Sequence, residues 1–169
     1  KKVISKLKFK KNIFSNTSSL TANTLGEYIN ILHFMNPISV PIVELYKTEF
    51  YIKSDLDHVI NSLKKQSYDI IDVQDRPGFL VNRILFKNLS YFFYLYEVEK
   101  VNLINLKKIY KNILNNDPLK IINMIGLDTC LSILTNLNKS DDSFYIPKTI
   151  KESVKNKILG YKNRKLFKI

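Results

Sequence analysis

Asp75-Arg76-Pro77-Gly78-Phe79-Leu80-Val81-Asn82-Arg83-Ile84-Leu85 is the stretch at which this chain changes character. Pro77-Gly78 predicts a turn, and the apolar run behind it reads as the opening of a long helix. Ahead of it, short apolar runs of strand type alternate with helical patterns. Beyond it, only helical spacing remains. Asn82 stands out, placed early on the helix. A carboxamide in an apolar run must find hydrogen-bond partners or cost stability, and a ligand carbonyl is one natural partner.

Working upstream, Asn12 to Phe14, Ile31 to Phe34, Ile42 to Tyr46 and Tyr68 to Val73 are strand candidates. Pro37 and Pro41 forbid one continuous element between the second and third. Asn16-Thr17-Ser18-Ser19 is a cluster of turn and cap formers, and Ser54-Asp55-Leu56-Asp57 a helix start followed by the stripe Val59, Ile60 and Leu63. Residues 1–8 fit the end of a helix. Downstream, Phe79 to Tyr96 is apolar on nearly every face and should be buried all round. Leu103, Leu106, Ile109, Tyr110, Ile113 and Leu114 show helical spacing behind a cap at Asn102. Leu119 to Leu137 is a further helical stretch with Gly126 inside it, and Thr149 to Leu159 a last amphipathic one. The order predicts an α/β piece followed by an all-α piece, with the boundary near Asp75: domains 1–75 and 76–169.

The length of 169 residues and 45% hydrophobic content support one ordinary domain or two small ones. No apolar run reaches membrane-span length. A single cysteine, Cys130, rules out an internal disulfide framework and suits a reducing compartment such as the cytoplasm, or a mitochondrial matrix in a eukaryote. The net charge of +12 would suit nucleic acid, anionic membrane or a phosphate-bearing ligand. The lysines are spread along the chain among Asn, Ile and Tyr, however, as the codon bias of an AT-rich genome gives, and no nucleic-acid module is present. Six lysines and no acid fall in the first 26 residues, which start at Lys1 rather than Met. They read as a basic surface helix of a domain whose beginning is missing, in preference to a transit peptide.

Two histidines are available for chemistry. His58 sits among solvated charges and reads as surface. His33 ends an apolar strand, where a histidine is commonly structural. Glu44 changes that reading, because two strands joined through Pro37–Pro41 would allow it to stand beside His33. A carboxylate on one ring nitrogen fixes the tautomer and strengthens the other nitrogen as a base. The hydroxyls and amide of Asn16–Ser19 either cap a short helix or point into the cleft at the strand ends.

Taken in order, Asn16-Thr17-Ser18-Ser19-Leu20, His33-Phe34-Met35-Asn36-Pro37, Val43-Glu44, Asp75 to Arg83 and Gly126-Leu127-Asp128-Thr129 resemble the 3-hydroxyacyl-CoA dehydrogenase family. The likeness runs from about Phe14 to Gly160, where Leu159-Gly160 looks like the family's closing motif. It implies a partial Rossmann-type domain lacking its first half, then the helical C-terminal domain. It implies NAD as cofactor, His33 as catalytic base, Glu44 as its partner, and Ser18 and Asn82 as holders of the substrate oxygens. Ser18 is chosen over Ser19 by its place after Asn16-Thr17, and Asn16 matches an asparagine near the nicotinamide end of the cofactor. The chain departs from the family pattern in several places. The opening strand and Gly-rich loop are absent, and the stretch from Ser19 to His33 is shortened. Asp117 replaces a glycine, Asn123 an aspartate, and Lys165-Leu166-Phe167 a Gly-Phe-Tyr-like ending.

The function implied is that of a fragment or truncated form of an NAD-dependent (L-)3-hydroxyacyl-CoA dehydrogenase. It would oxidise 3-hydroxyacyl-CoA to 3-oxoacyl-CoA in fatty-acid or butanoate metabolism and pair with a second copy through the helical domain. Nucleic acid and membrane are not expected partners. The rival expectation is a diverged, non-catalytic helical interaction module.

Overall fold

The computed structural model describes residues 12–18, 20–35 and 40–169. The chain forms two compact units, Lys1–Asn82 and Arg83–Ile169.

The first unit holds β1 (Ile13–Ser15), α1 (Ala22–Leu25), β2 (Ile29–Phe34), β3 (Ile42–Tyr46), α2 (Lys53–Lys65) and β4 (Asp69–Asp72). The strands lie side by side in chain order. β1 and β2 are parallel, as are β3 and β4, while β2 and β3 are antiparallel. Each parallel pair is joined by a helix, α1 or α2, as parallel pairing requires a crossover. Leu32, Val43 and Leu45 face α2 and pack on Leu56 and Leu63. Ile29 and Ile31, on the other face, pack on Ala22 and Phe79. With both faces covered, β2 is buried from Ile29 to His33, which explains why apolar residues stand on both of its faces. The expected helix end over residues 1–8, and Pro37 between β2 and β3, lie outside the described residues.

Helix α2 begins at Lys53, behind Ile52, which has no capping side chain. Asn12 supplies one from 40 residues upstream: its Oδ1 accepts from Ile52 N–H and its Nδ2 donates to Ile52 C=O, both at 2.7 Å. These bonds tie the start of the helix to the residue ahead of β1.

The second unit is helical among its described residues, apart from a single β-bridge between Gly160 and Lys165. Helix α3 (Val81–Glu97) begins at the end of the first unit. It is followed by α4 (Leu103–Asn112), α5 (Pro118–Ile125), α6 (Leu127–Ser140), α7 (Lys148–Lys155) and a 3-10 turn at Tyr161–Asn163. Phe86, Leu89, Phe92 and Phe93 join Leu106, Ile122, Leu134 and Ile150 in one core. Asn102 caps α4 as its sequence predicts, accepting from Ile104 N–H at 2.9 Å. Asp117, where the family pattern has glycine, caps α5 by accepting from Lys120 N–H at 3.0 Å, with Pro118 in the first turn. Asn123 reads both backbone groups of Phe167. Its Oδ1 accepts from Phe167 N–H at 2.8 Å and its Nδ2 donates to Phe167 C=O at 3.1 Å. An aspartate has no donor for the second bond.

Two expectations need correction. The stretch Leu119 to Leu137 is not one helix: Gly126, at φ 96°, splits it into α5 and α6, bent by 100°. A Cβ at Gly126 would stand 2.5 Å from Lys162. The run Phe79 to Tyr96 is not buried all round: Ile84 and Tyr91 are 57% and 53% exposed. They lie seven residues apart, on a stripe pointing away from the Phe86–Leu89–Phe93 face. No single helix among the described residues is long and apolar enough to cross a membrane.

Candidate active site

The register of β2 against β3 sets His33 directly opposite Glu44. Opposed residues of an antiparallel pair point to the same face, so the two side chains meet. His33 Nδ1 and Glu44 Oε2 are 2.6 Å apart, and Glu44 is fully buried. A carboxylate only accepts, so Nδ1 donates, and the tautomer leaves Nε2 with its lone pair. Nε2 makes no hydrogen bond among the described residues.

A buried carboxylate is tolerated only when its oxygens are satisfied. Glu44 Oε1 accepts from Leu80 N–H at 2.8 Å and Val81 N–H at 2.7 Å. These are amides at the N-terminus of α3, where the helix leaves donors unpaired and its dipole favours negative charge. The turn that aims them is Pro77-Gly78-Phe79-Leu80. Gly78 has φ 76° and Phe79 φ 43°. Left-handed backbone suits glycine, but it costs an L-residue about 1–2 kcal/mol. Phe79 is nonetheless 3% exposed, with its ring centroid 5.8 Å from that of His33. Asp75, at the head of the same segment, accepts from Ala22 N–H at 2.6 Å and Asn23 N–H at 3.0 Å, holding the start of α1.

Asn82 occupies the second position of α3, and its Nδ2 donates to the backbone carbonyl of Ser18 at 3.0 Å. The structure therefore brings Asn82 and Ser18 together. Asn16, exposed just past the end of β1, accepts from Phe34 N–H at 2.9 Å, one residue beyond His33. All five site residues singled out in the sequence belong to one connected set at the C-terminal ends of β1 and β2. In open α/β sheets that edge is where ligands bind. His58 is exposed on α2. Cys130 is buried in the helical unit, and burial, with Asp128 nearby, pushes its thiol up to about 12. It is a protonated core side chain. Among the described residues no group of three or more His, Cys, Asp or Glu could hold a metal ion.

Sequence reasoning missed three participants: the N–H groups of Leu80 and Val81, and Phe79. Backbone donors leave no side-chain signature. The one available signal was Pro-Gly directly ahead of an apolar helix, which marks a sharp turn without saying what its amides hold.

No family model matches the chain. It is 33% identical over 166 residues to the Bacillus subtilis "Probable 3-hydroxybutyryl-CoA dehydrogenase", covering 90% of this chain and 57% of that protein. It is 29% identical over 137 residues to the human mitochondrial hydroxyacyl-coenzyme A dehydrogenase, covering 75% of this chain and 43% of the other. Among solved structures, the (S)-3-hydroxybutyryl-CoA dehydrogenase of Ralstonia eutropha superposes with a TM-score of 0.78 at 27% identity, over 93% of this chain and 60% of that one. The chain thus spans about half the length of the curated relatives it matches.

Proposed function

This chain belongs to the 3-hydroxyacyl-CoA dehydrogenase family, and on that premise we propose that it is part of an NAD-dependent enzyme oxidising 3-hydroxyacyl-CoA to 3-oxoacyl-CoA. Residues 1–75 would be the C-terminal part of the cofactor domain and 76–169 the helical domain. The observation that carries the reading is the 2.6 Å contact of His33 Nδ1 with the buried carboxylate of Glu44. It leaves Nε2 as an acceptor for the proton of the C3 hydroxyl. Glu44 would stabilise the imidazolium that forms. Asn82 and Ser18 would align the substrate oxygens, on which the transfer geometry depends. When bound, the cofactor would supply the hydride acceptor.

The residues present fit one end of that cofactor. Asn16 is exposed at a strand end, while the chain's glycines, Gly26, Gly78, Gly126 and Gly160, form no Gly-x-Gly-x-x-Gly cradle. This chain by itself should therefore bind NAD weakly or not at all, which calorimetry would register. The exposed Ile84 and Tyr91 stripe of α3 supports pairing with a second copy, as a homodimer. A single buried thiol suits a reducing compartment. A helical interaction module without catalysis would have no use for a buried histidine–carboxylate pair whose second ring nitrogen makes no hydrogen bond among the described residues. The kinetic test uses the full-length protein, with its cofactor half. His33→Gln should reduce turnover by about 10²–10⁴-fold, the scale of general-base catalysis. Unchanged turnover would replace the enzyme with the interaction module.

A further inference from the structure

We infer that Phe79 is a positioning residue for the His33–Glu44 pair, acting on His33 through its ring and on Glu44 through its backbone. The inference rests on the reading of that pair as the catalytic machinery. Phe79 is a bulky residue at φ 43°, next to a glycine that is also left-handed. Glycine or asparagine would adopt that backbone with less strain. A strained residue persists only where its surroundings over-determine it, and such sites cluster around function. Two features of Phe79 meet that description.

The first is the backbone. Phe79 N–H donates to Arg76 C=O at 2.9 Å, which closes the turn. The next two N–H groups, those of Leu80 and Val81, then converge on one oxygen, Glu44 Oε1. With Oε1 held from that side, Oε2 is presented to His33 Nδ1.

The second is the ring. It is buried with Ala22, Ile29 and Ile31, and is tilted 42° to the His33 imidazole at 5.8 Å between centroids. An aromatic wall there excludes water from one face of the pair and opposes rotation of the imidazole about its bond to Cβ. Rotation would put Cδ2 where Nδ1 meets Glu44 and Cε1 where Nε2 stands, breaking the 2.6 Å hydrogen bond and removing the acceptor nitrogen from the place where a substrate proton arrives. The ring therefore protects the orientation in which the Glu44 hydrogen bond selects the tautomer.

The two histidines of the chain make this testable by NMR, because exposed His58 is an internal reference for buried His33. In the 169-residue chain the His33 Nδ1 proton should give a far-downfield, slowly exchanging signal. Phe79→Gly relieves the backbone and removes only the ring. It should keep the amide spectrum of a folded protein at a lower melting temperature, because losing a buried ring outweighs the relieved backbone. Its His33 Nδ1 proton should exchange at least about tenfold faster, as a locally opened site does. Phe79→Leu should lie in between, and Phe79→Tyr, which restores a ring, should recover the wild-type signal. In the full-length protein Phe79→Gly should lower kcat with little change in KM. If the His33 signal and its exchange rate stayed at wild-type values in folded Phe79→Gly and Phe79→Leu, Phe79 would be a core residue only. The catalytic reading fails separately: His33→Gln without effect on turnover would sink it, while the exchange data would still decide the part played by Phe79.

Discussion

Glu44 in the sheet unit and Glu97 in the helical unit use the same device to different ends. Each carboxylate sits on the N-terminus of a helix that begins far along the chain. Glu44 accepts the N–H groups of Leu80 and Val81 at the start of α3. Glu97 accepts those of Lys148 and Thr149 at the start of α7, which has no capping side chain of its own. The difference lies in the remaining donors. Glu97 takes the hydroxyls of Tyr145 and Thr149, at 2.6 and 2.5 Å. Neither changes protonation near neutral pH, so the cluster is closed and its role is to dock a helix. Glu44 takes an imidazole whose second nitrogen remains available. One carboxylate ends a network; the network of the other runs to a ring nitrogen that, in the proposed function, takes the substrate proton.

The largest expected effect that separates them is on turnover of the full-length protein. In Glu44→Gln the amide oxygen must stay on the N–H groups of Leu80 and Val81, so the amide NH₂ faces His33 Nδ1. That forces Nδ1 to accept and moves the ring proton to Nε2. A base in the wrong tautomer cannot take the substrate proton, so kcat should fall by about 10²–10⁴-fold. Glu97→Gln should leave kcat within about twofold, being a surface-linked cap away from any acid–base step. Equal losses in the two variants would erase the distinction drawn here.

Much of the sheet site was legible because its signals are side chains. The Ile-rich run of β2, the prolines after it and Glu44 on the next apolar run allowed a pairing of His33 with Glu44, and the family resemblance made it the expectation. The change of period at Pro77 marked where strands give way to helices. The helical unit was less legible, for physical reasons. Helical spacing continues through Gly126, and only the φ of 96° and the approach of Lys162 reveal that the helix must break there. Apolar content in Phe79 to Tyr96 does not say which stripe is left uncovered. The bonds of Asp75 to α1, 53 residues upstream, and of Glu97 to α7, 51 and 52 residues downstream, join a carboxylate to backbone amides. No residue type marks the receiving end.

Stability gives the second separation. Glu44→Ala removes one partner of a fully buried pair and orphans two amides. Its cost to unfolding should be about 3–5 kcal/mol, as for other broken buried pairs. Glu97→Ala removes a half-exposed cap, and its cost should be about 1–2 kcal/mol, near the upper range for helix caps. Denaturant unfolding of both variants measures the difference. A Glu97→Ala loss as large as that of Glu44→Ala would mean that the helical cluster is as dry as the sheet pair.

The smallest effect is a titration. Burial raises the Glu97 carboxyl, but the hydrogen bonds from Thr149, Tyr145 and Lys148 outweigh it and hold the group below its ordinary value of 4.5. A lowered carboxyl contributes stability that is present above that ordinary value and is lost as pH falls through the folded one. Tyr145 shifts the other way, up to about 12 from 10.0, through burial first, then its hydrogen bond to Glu97 and the charge there. A raised phenol contributes stability that is complete below 10.0 and is lost as pH rises through about 12. The Tyr145–Glu97 bond should thus be intact across the whole neutral range and weaken only at the two extremes. Glu97→Gln removes the charge and leaves the burial. The Tyr145 midpoint, followed at its ζ carbon by NMR, should then fall from about 12 yet stay above 10.0. Glu44→Gln should not move it. An unchanged Tyr145 midpoint in Glu97→Gln would show that burial alone raises the phenol. The helical carboxylate would then be a cap for α7 and nothing more.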